Sequence, residues 1–451
     1  MRCETRKGEM PDFPEGCDVV RILWSDLHGA ARGKDIAAAD FPRLAGEGIH
    51  FCQALMLTDL GANPLEGPET SGSGFPDGLA RPDLSTLMPL AYAPDLACCL
   101  ADLYGAANGR PLASSPRGLL KRQIARLGPA GIRPIVGPEM EFYLCAPEPF
   151  SSDRHAQGPA GHRWVAYPER DSAGYLVGAL GEPDGLLTSL LRSGANLGAF
   201  AASHEFSGGQ FEINQHHGPA LAAADRAFLL RHVVKEIAAL RRMRATFMGK
   251  PFNNKAGSGF HLHLSLEDAQ GRNLFADAAA KDGLSRRAHA FLAGILRHAQ
   301  GLSAILNPTV NAYKRLAGGA LAPQRANWGY DNRTALIRIP PDRGASARLE
   351  IRGGDRAANP YLLIAALLAA GVEGMARRLN SPEPITGSAA SGPLLPRSLA
   401  TALAALEADP VLSAALGRGF VSAFTALKRQ EIARFERHVT DWEFTEYSWL
   451  L

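Results

Sequence analysis

Two periods of apolar repetition run through this chain, and the switches between them outline its elements. Residues 19–24 read Val-Val-Arg-Ile-Leu-Trp and predict a strand, followed by a glycine-punctuated turn over Asp26-Leu-His-Gly-Ala-Ala-Arg-Gly-Lys34. Residues 63–83 are dense in Gly, Pro and Ser and predict a long loop, and residues 96–103 a second short-strand region. Asn108-Gly-Arg-Pro marks a turn, and Ser115-Pro116 has the residue types of an N-cap and first helical position. A domain boundary is placed there, dividing the chain into 1–108 and 109–451. Residues 224–244 predict a helix with Leu229, Val233, Val234, Ile237 and Leu240 at helical spacing and an Arg-Arg-Met-Arg end that suits the negative end of the dipole. Asn359-Pro360 opens a helix that is apolar nearly all round and therefore buried. Residues 380–398 form a Pro/Ser/Gly-rich loop before C-terminal helices. There is no internal repeat. The sum is an α+β protein with a small β-rich N-terminal part and a large second domain.

Four segments carry polar residues on one strand face. In Pro134-Ile-Val-Gly-Pro-Glu-Met-Glu-Phe-Tyr-Leu144, period 2 puts Glu139 and Glu141 together, with Met140, Phe142 and Leu144 opposite. In His204-Glu-Phe-Ser-Gly-Gly-Gln-Phe-Glu-Ile213, a four-residue loop over 207–210 would pair Phe206 with Phe211 and set Glu205 opposite Glu212. Like charges so placed are destabilising, which calls for a compensating cation. Gly259-Phe-His-Leu-His-Leu-Ser-Leu266 puts His261, His263 and Ser265 on one face, and Arg348, Glu350 and Arg352 share a face in Arg348-Leu-Glu-Ile-Arg352. A single strand of this kind is commonly a half-solvated sheet; four together point to chemistry. Five glutamates and a histidine suit hard divalent cations, Mg2+ or Mn2+, which bridge to phosphates, and arginine forks match phosphate or carboxylate. The residues alone reach a two-metal, phosphate-handling site, which leaves a phosphatase or nuclease open.

Composition narrows this. Hydrophobic residues make up 46% and charged residues 21%, ordinary globular usage that excludes wholesale disorder. Lys plus Arg number 48 against 45 Asp plus Glu, and a net +3 over 451 residues leaves no footprint for nucleic acid. The longest uninterrupted apolar stretch, 361–372, is too short for a bilayer, and no apolar segment follows Met-Arg-Cys-Glu-Thr-Arg-Lys as in a signal peptide. Six cysteines, with Cys98 and Cys99 adjacent in an apolar strand, form neither a disulfide framework nor a CxxC metal site. Gly72-Ser-Gly lacks a following helix and is a poor phosphate loop, and His216-His217 reads as a solvated loop pair. A soluble cytoplasmic enzyme is the expectation.

Gly137-Pro-Glu-Met-Glu-Phe, His204-Glu-Phe-Ser-Gly-Gly-Gln-Phe-Glu, Ala256-Gly-Ser-Gly-Phe-His-Leu-His, Asn311-Ala-Tyr-Lys-Arg-Leu, Asp331-Asn-Arg-Thr, Arg348-Leu-Glu-Ile-Arg and Ala358-Asn-Pro-Tyr occur in order and together resemble the glutamine synthetase superfamily. The resemblance implies its fold: a small β-grasp-like N-terminal domain and a large catalytic domain built on an antiparallel sheet with flanking helices. It implies that Glu141, Glu205 and Glu212 hold one metal ion, and Glu139, His261 and Glu350 a second on the ATP phosphates. His263 and Ser265 match nucleotide-side positions. Arg333, Arg338 and Arg348 match arginines around the phosphates, with Arg333 and Arg352 in catalytic roles. Gly257, Arg315 and Arg352 match positions that hold glutamate. It further implies Mg2+ or Mn2+ as cofactor, ATP as co-substrate, and a homo-oligomer, a dodecamer of two hexameric rings with sites between subunits.

The departures bear on the acceptor. Glutamine synthetases proper carry an aspartate in a Phe-Asp-Gly-Ser-Ser segment that helps bind ammonium; the nearest region here, Phe51-Cys-Gln-Ala-Leu, lacks it. Their flap carries a glutamate two residues before a proline, whereas Ala317-Gly-Gly-Ala-Leu-Ala-Pro323 has Leu321. A desolvated ammonium ion needs anionic partners, so both losses point away from it. Trp328-Gly-Tyr-Asp-Asn-Arg-Thr resembles the branch, including γ-glutamylpolyamine synthetases, that joins glutamate to larger amines. The expectation is an ATP-dependent glutamate–amine ligase acting through a γ-glutamyl phosphate. An ammonia-dependent glutamine synthetase and a non-catalytic member of the fold are the alternatives. Asp59 and Glu66 are regional candidates for an acidic amine partner, each otherwise a solvated loop residue.

Overall fold

The computed structural model describes residues 13–67, 71–147, 164–168, 174–318, 321–388 and 391–451. Gly319 and Ala320 of the flap lie outside them. Two sheets organise the chain. The first holds β1 (Val19–Ser25), β2 (Ala31–Ala37), β3 (Ile49–Cys52), β4 (Asp77–Pro82), β5 (Met88–Leu90) and β6 (Ala93–Gly105). Its order is β2-β1-β6-β4-β3, with β5 on β6, and the β1–β6 pair is parallel. Val20, Ile22, Trp24, Phe51 and Cys99 are buried on one side of it with Phe41 of the helix Phe41–Glu47. Two sequence expectations are corrected here. The end of the expected turn, from Ala31 onward, is strand β2, and the expected long loop ends in strand β4. Polar β2 is an edge strand and β4 carries Gly78 and Pro82, so neither shows apolar alternation.

The second sheet holds β7 (Arg133–Pro147), β8 (Trp164–Ala166), β9 (Ala199–His204), β10 (Gln210–Gln215), β11 (Gly218–Pro219), β12 (Arg244–Thr246), β13 (Phe260–Glu267), β14 (Trp328–Tyr330), β15 (Ile337–Ile339) and β16 (Leu349–Ile351). Its main path is β14-β15-β16-β13-β7-β10-β9, antiparallel except for β14–β15. The long strand β7 lies between β10 and β13. Met140, Phe142 and Leu144 turn one face of β7 into the core, beside Phe211, Ile213, Leu262 and Leu264. The helix Ala220–Leu240 packs on this side, and Pro360–Ala376 is buried among the helices, against Ala220–Leu240 and Arg286–Arg297. Asn359 caps the second of them by accepting from Tyr361 N at 3.0 Å, and Pro360 occupies its first position. Burying each of Leu362, Leu363, Leu367 and Leu368 contributes about 2 kcal/mol before entropy. Gly371 lets this helix touch Phe291, since a Cβ there would come within 2.2 Å of the ring.

The hairpin register differs from the sequence expectation. Phe211 pairs with His204, not Phe206, and Glu212 stands opposite Ser203 on one side and Glu141 of β7 on the other. The strand ends at His204, so Glu205 opens the loop, its amide bonded to Gln210 O at 2.8 Å. The helix expected over 224–244 runs Ala220–Leu240. Its final Arg-Arg-Met-Arg leaves the helix, because Arg242 takes φ +58° and Arg244 starts β12; Leu240 is exposed. Among the described residues no single helix is long and apolar enough to cross a membrane.

Arg117 ties the sheets together. Its buried guanidinium donates to Asp83 at 2.7 Å and Asp102 at 2.7 Å beside the first sheet, and to both oxygens of Asp225 at 2.9 Å on the helix over the second. Removing it leaves three carboxylates facing one another, with Asp225 buried among them. Arg117→Ala should therefore lower unfolding free energy by about 3–5 kcal/mol, read from denaturant midpoints; a loss below about 1 kcal/mol would contradict the tie.

Candidate active site

The register sets the acidic residues in adjacent strands. On β7, Glu139 faces Asn214 of β10 and His261 of β13, and Glu141 faces Glu212. On the far side of β13, His263 faces Glu350 of β16, which in turn faces Arg338 of β15. Glu141 Oε2 accepts from Gly259 N at 2.7 Å and from Gln210 Nε2 at 3.3 Å. His263 Nδ1 accepts from Arg348 Nε at 3.1 Å, which leaves the ring proton on Nε2, 2.9 Å from Glu139 Oε1. His261 Nδ1 lies 3.5 Å from Glu139 Oε2, and its Nε2 lies 3.8 Å from Glu141 Oε1.

Two donor groups converge closely enough for a metal ion, Glu139–His263–Glu350 and Glu139–Glu212–His261, each with its ligand atoms within 4.8 Å. The partition differs from the carried-over sets: His263 rather than His261 groups with Glu350, Glu139 and His261 group with Glu212, and Glu141 and Glu205 fall in neither group. Carboxylate oxygens with imidazole nitrogens fit Mg2+ or Mn2+. The charge state of the cluster fits as well. Burial, then repulsion from Glu141 and Glu139, pushes Glu205 up to about 7. Burial, then Glu139, Glu141 and Glu205, pushes Glu212 up to about 8. Burial opposes ionisation of Glu139 too, but His261 and His263 hold its carboxyl well below the usual range. Glu350 is likewise held low despite its burial, by His261, Arg352, His263 and Arg338.

Arginines border the cluster on two sides. Arg338 and Arg352 each donate to one oxygen of Glu350 at 2.5 Å. Arg315 is buried, with Nη2 3.4 Å from Arg352 O and Nη1 without a partner among the described residues. Gly257 makes that approach possible, since a Cβ there would sit 2.6 Å from Arg315 Cγ. Arg333 is exposed and shares a surface cavity with Arg338. Ser265, Glu139, His263, Arg338 and Arg348 line a cavity of about 670 Å³. Leu321 is 54% exposed beyond the helix Ala312–Gly318.

Phe200, His216 and His217 also line this cavity, with Phe200 stacked on His216 at 4.6 Å and 22°. Both histidines are exposed, as the solvated-pair reading expects, and they border the cavity as well. His216 continues the Glu212–Asn214 face, a parity signal that was legible. Such a flat wall can stack a planar ring. Asp331, which holds Arg338, carried no signal of its own. Asp59 is not a solvated residue: it is 3% exposed, accepts from Gly61 N and Asn63 N, and pairs with Arg434 at 2.7 Å. Glu66 is exposed. Cys98 and Cys99 are fully buried, as small strand residues.

Comparison with known proteins matches residues 113–447 to the model of the glutamine synthetase catalytic domain. Glutamine synthetase of Halobacterium salinarum is 33% identical, over 96% of this chain and 94% of its own length. Glutamate–isopropylamine ligase of a Pseudomonas species is 34% identical, over 97% and 96%. Gamma-glutamylethanolamide synthetase of Streptomyces coelicolor is 34% identical, over 94% and 91%. Among solved structures, apo GmaS without ligand superposes with a TM-score of 0.82 at 34% identity, covering 96% of this chain and 97% of that one.

Protonated Glu205 and Glu212 must lose their protons to bind a cation. Mn2+ affinity of the nucleotide-free protein should therefore rise between pH 6 and 8.5, with release of roughly one proton at pH 7. Calorimetric titrations in two buffers of different ionisation enthalpy measure this; identical heats in both would contradict it.

Proposed function

The chain belongs to the glutamine synthetase family, and within it we propose a ligase that joins the γ-carboxylate of glutamate to an organic amine. ATP-dependent ligation of glutamate is the family's activity; the acceptor is the proposal. The observation that carries it is the absence of acids at the two positions that the family resemblance assigns to the acceptor. Leu321 stands where the flap of a glutamine synthetase has its glutamate, and Phe51-Cys-Gln-Ala-Leu brings no aspartate. Asp59, the buried acid that follows that segment, is committed to its own loop and Arg434. An ammonium ion would lack the anionic partners that offset its desolvation, whereas Leu321 suits an alkyl substituent. Relatives that use isopropylamine and form γ-glutamylethanolamide support the reading, although glutamine synthetases match equally well.

In this reading Arg315, through its free Nη1, and Arg352 take a glutamate carboxylate beside Gly257. Arg333, Arg338 and Arg348 offset phosphate charge, and Ser265 borders the nucleotide cavity. A glutamate γ-carboxylate oxygen attacks the terminal phosphorus of ATP and ADP leaves. The amine nitrogen then attacks the acyl carbon, phosphate leaves, and the nitrogen sheds a proton. Mg2+ or Mn2+ on Glu139, Glu141, Glu205, Glu212, His261 and Glu350 would supply positive charge to the phosphates. The division at residue 109, a cytoplasmic location and a dodecamer of two hexameric rings complete the proposal.

Phosphate release with ATP, Mg2+ and glutamate should be faster with one of methylamine, ethylamine, isopropylamine, ethanolamine, putrescine or spermidine than with ammonia. Leu321→Glu should shift the kcat/KM ratio toward ammonia by about tenfold, some 1.4 kcal/mol. Release with ammonia alone, or an unchanged ratio in the variant, would contradict the assignment of the acceptor.

A further inference from the structure

Both carboxylate oxygens of Glu350 are occupied by arginines: Arg338 Nη1 donates to Oε2 and Arg352 Nη1 to Oε1, each at 2.5 Å. Glu350 is 1% exposed, so water cannot loosen either contact. A divalent ion approaching that carboxylate meets two fixed positive charges, which oppose its binding at the lone pairs the arginines leave open. The two are not held alike. Arg352 is buried, with its Nε on the Arg333 carbonyl at 3.0 Å. Arg338 is less buried, and its Nε and Nη2 both donate to Oδ1 of Asp331, at 3.0 and 2.7 Å.

Asp331 follows β14 in the left-handed region, at φ +43°, with its amide bonded to Ile339 O at 2.9 Å. That backbone is unfavourable for most side chains and least so for Asp and Asn. The Asp331 side chain is 61% exposed, and a surface ion pair of this kind contributes little stability. The unfavourable backbone thus serves to set an exposed carboxylate against the back of Arg338.

We propose that Asp331 is a positioning residue that shares the Arg338 guanidinium with Glu350, offsets its charge and so leaves Glu350 open to a divalent cation. The inference rests on the reading of Glu350 as a metal ligand. With the Asp331 carboxylate gone, the full Arg338 charge bears on Glu350 and competes harder with the ion. With Arg338 gone, Glu350 is freed and Asp331 has nothing left to act through.

The test is Mn2+ binding to the full-length, nucleotide-free protein, followed by the electron spin resonance of free Mn2+, in Asp331→Asn, Arg338→Gln, the double variant and Glu350→Gln. Asparagine keeps the left-handed backbone, so Asp331→Asn removes only the charge. Asp331→Asn should weaken one of two ions about five- to tenfold. Arg338→Gln should tighten that same ion, and Asp331→Asn should add nothing in the Arg338→Gln background. Where Glu350→Gln loses one ion, an unchanged affinity in Asp331→Asn overturns the inference. So does an equal loss in both backgrounds, which marks Asp331 as a general negative charge. Retention of both ions in Glu350→Gln removes the premise, and the inference with it.

Discussion

Four glutamates held in one patch of a sheet repel, and the rest of the active centre is arranged around that repulsion. Two carboxylates 4 Å apart cost about 4 kcal/mol at an effective dielectric near 20, so Glu139, Glu141, Glu205 and Glu212 cannot all stay ionised unaided. The metal-free protein answers in three ways. Glu205 and Glu212 hold on to protons, Glu139 leans on His261 and His263, and Glu350 is clasped by Arg338 and Arg352. In the proposed reading each of these gives way to a divalent ion, by proton release or by movement of a side chain.

The scaffold makes this possible by keeping the acids on a central strand. β7 is hydrogen-bonded along both edges, and its reverse face is packed among Phe211, Ile213, Leu262 and Leu264. A one-residue slip would turn Glu139 and Glu141 into that core, so hydrophobic burial fixes the register of the chemistry. Further out, Arg315 lies beside Arg352, and Arg348 and Ser265 line the cavity that has the Phe200–His216 wall. Phosphoryl transfer is catalysed largely by placement and charge, and both are supplied here by rigid strands.

Much of this was legible in the sequence because strand parity is a local property. The shared faces of Glu139 with Glu141, of His261 with His263, and of Arg348 with Glu350 all follow from period 2. Register between strands is not local. Glu212 was expected opposite Glu205, but the strand stops at His204 and the partner is Glu141, a pairing set by the third strand. Asp331 lay inside a quoted motif without a role, since the guanidinium it holds sits across a parallel pair seven residues on. Strands β2 and β4 were hidden by polar edge positions and glycine. The proposed acceptor is legible only as an absence of acids, a pattern that points to a class of compound through its chemistry.

The account stands on phosphate passing from ATP to a glutamate oxygen. Glutamate labelled with oxygen-18 in its γ-carboxylate, turned over with ATP, Mg2+ and the preferred amine, tests that step directly. One labelled oxygen should appear in each phosphate released, because the bridging oxygen of γ-glutamyl phosphate leaves with the phosphate. Unlabelled phosphate accompanying amide formation would contradict the acyl-phosphate route, and with it the reading of this site.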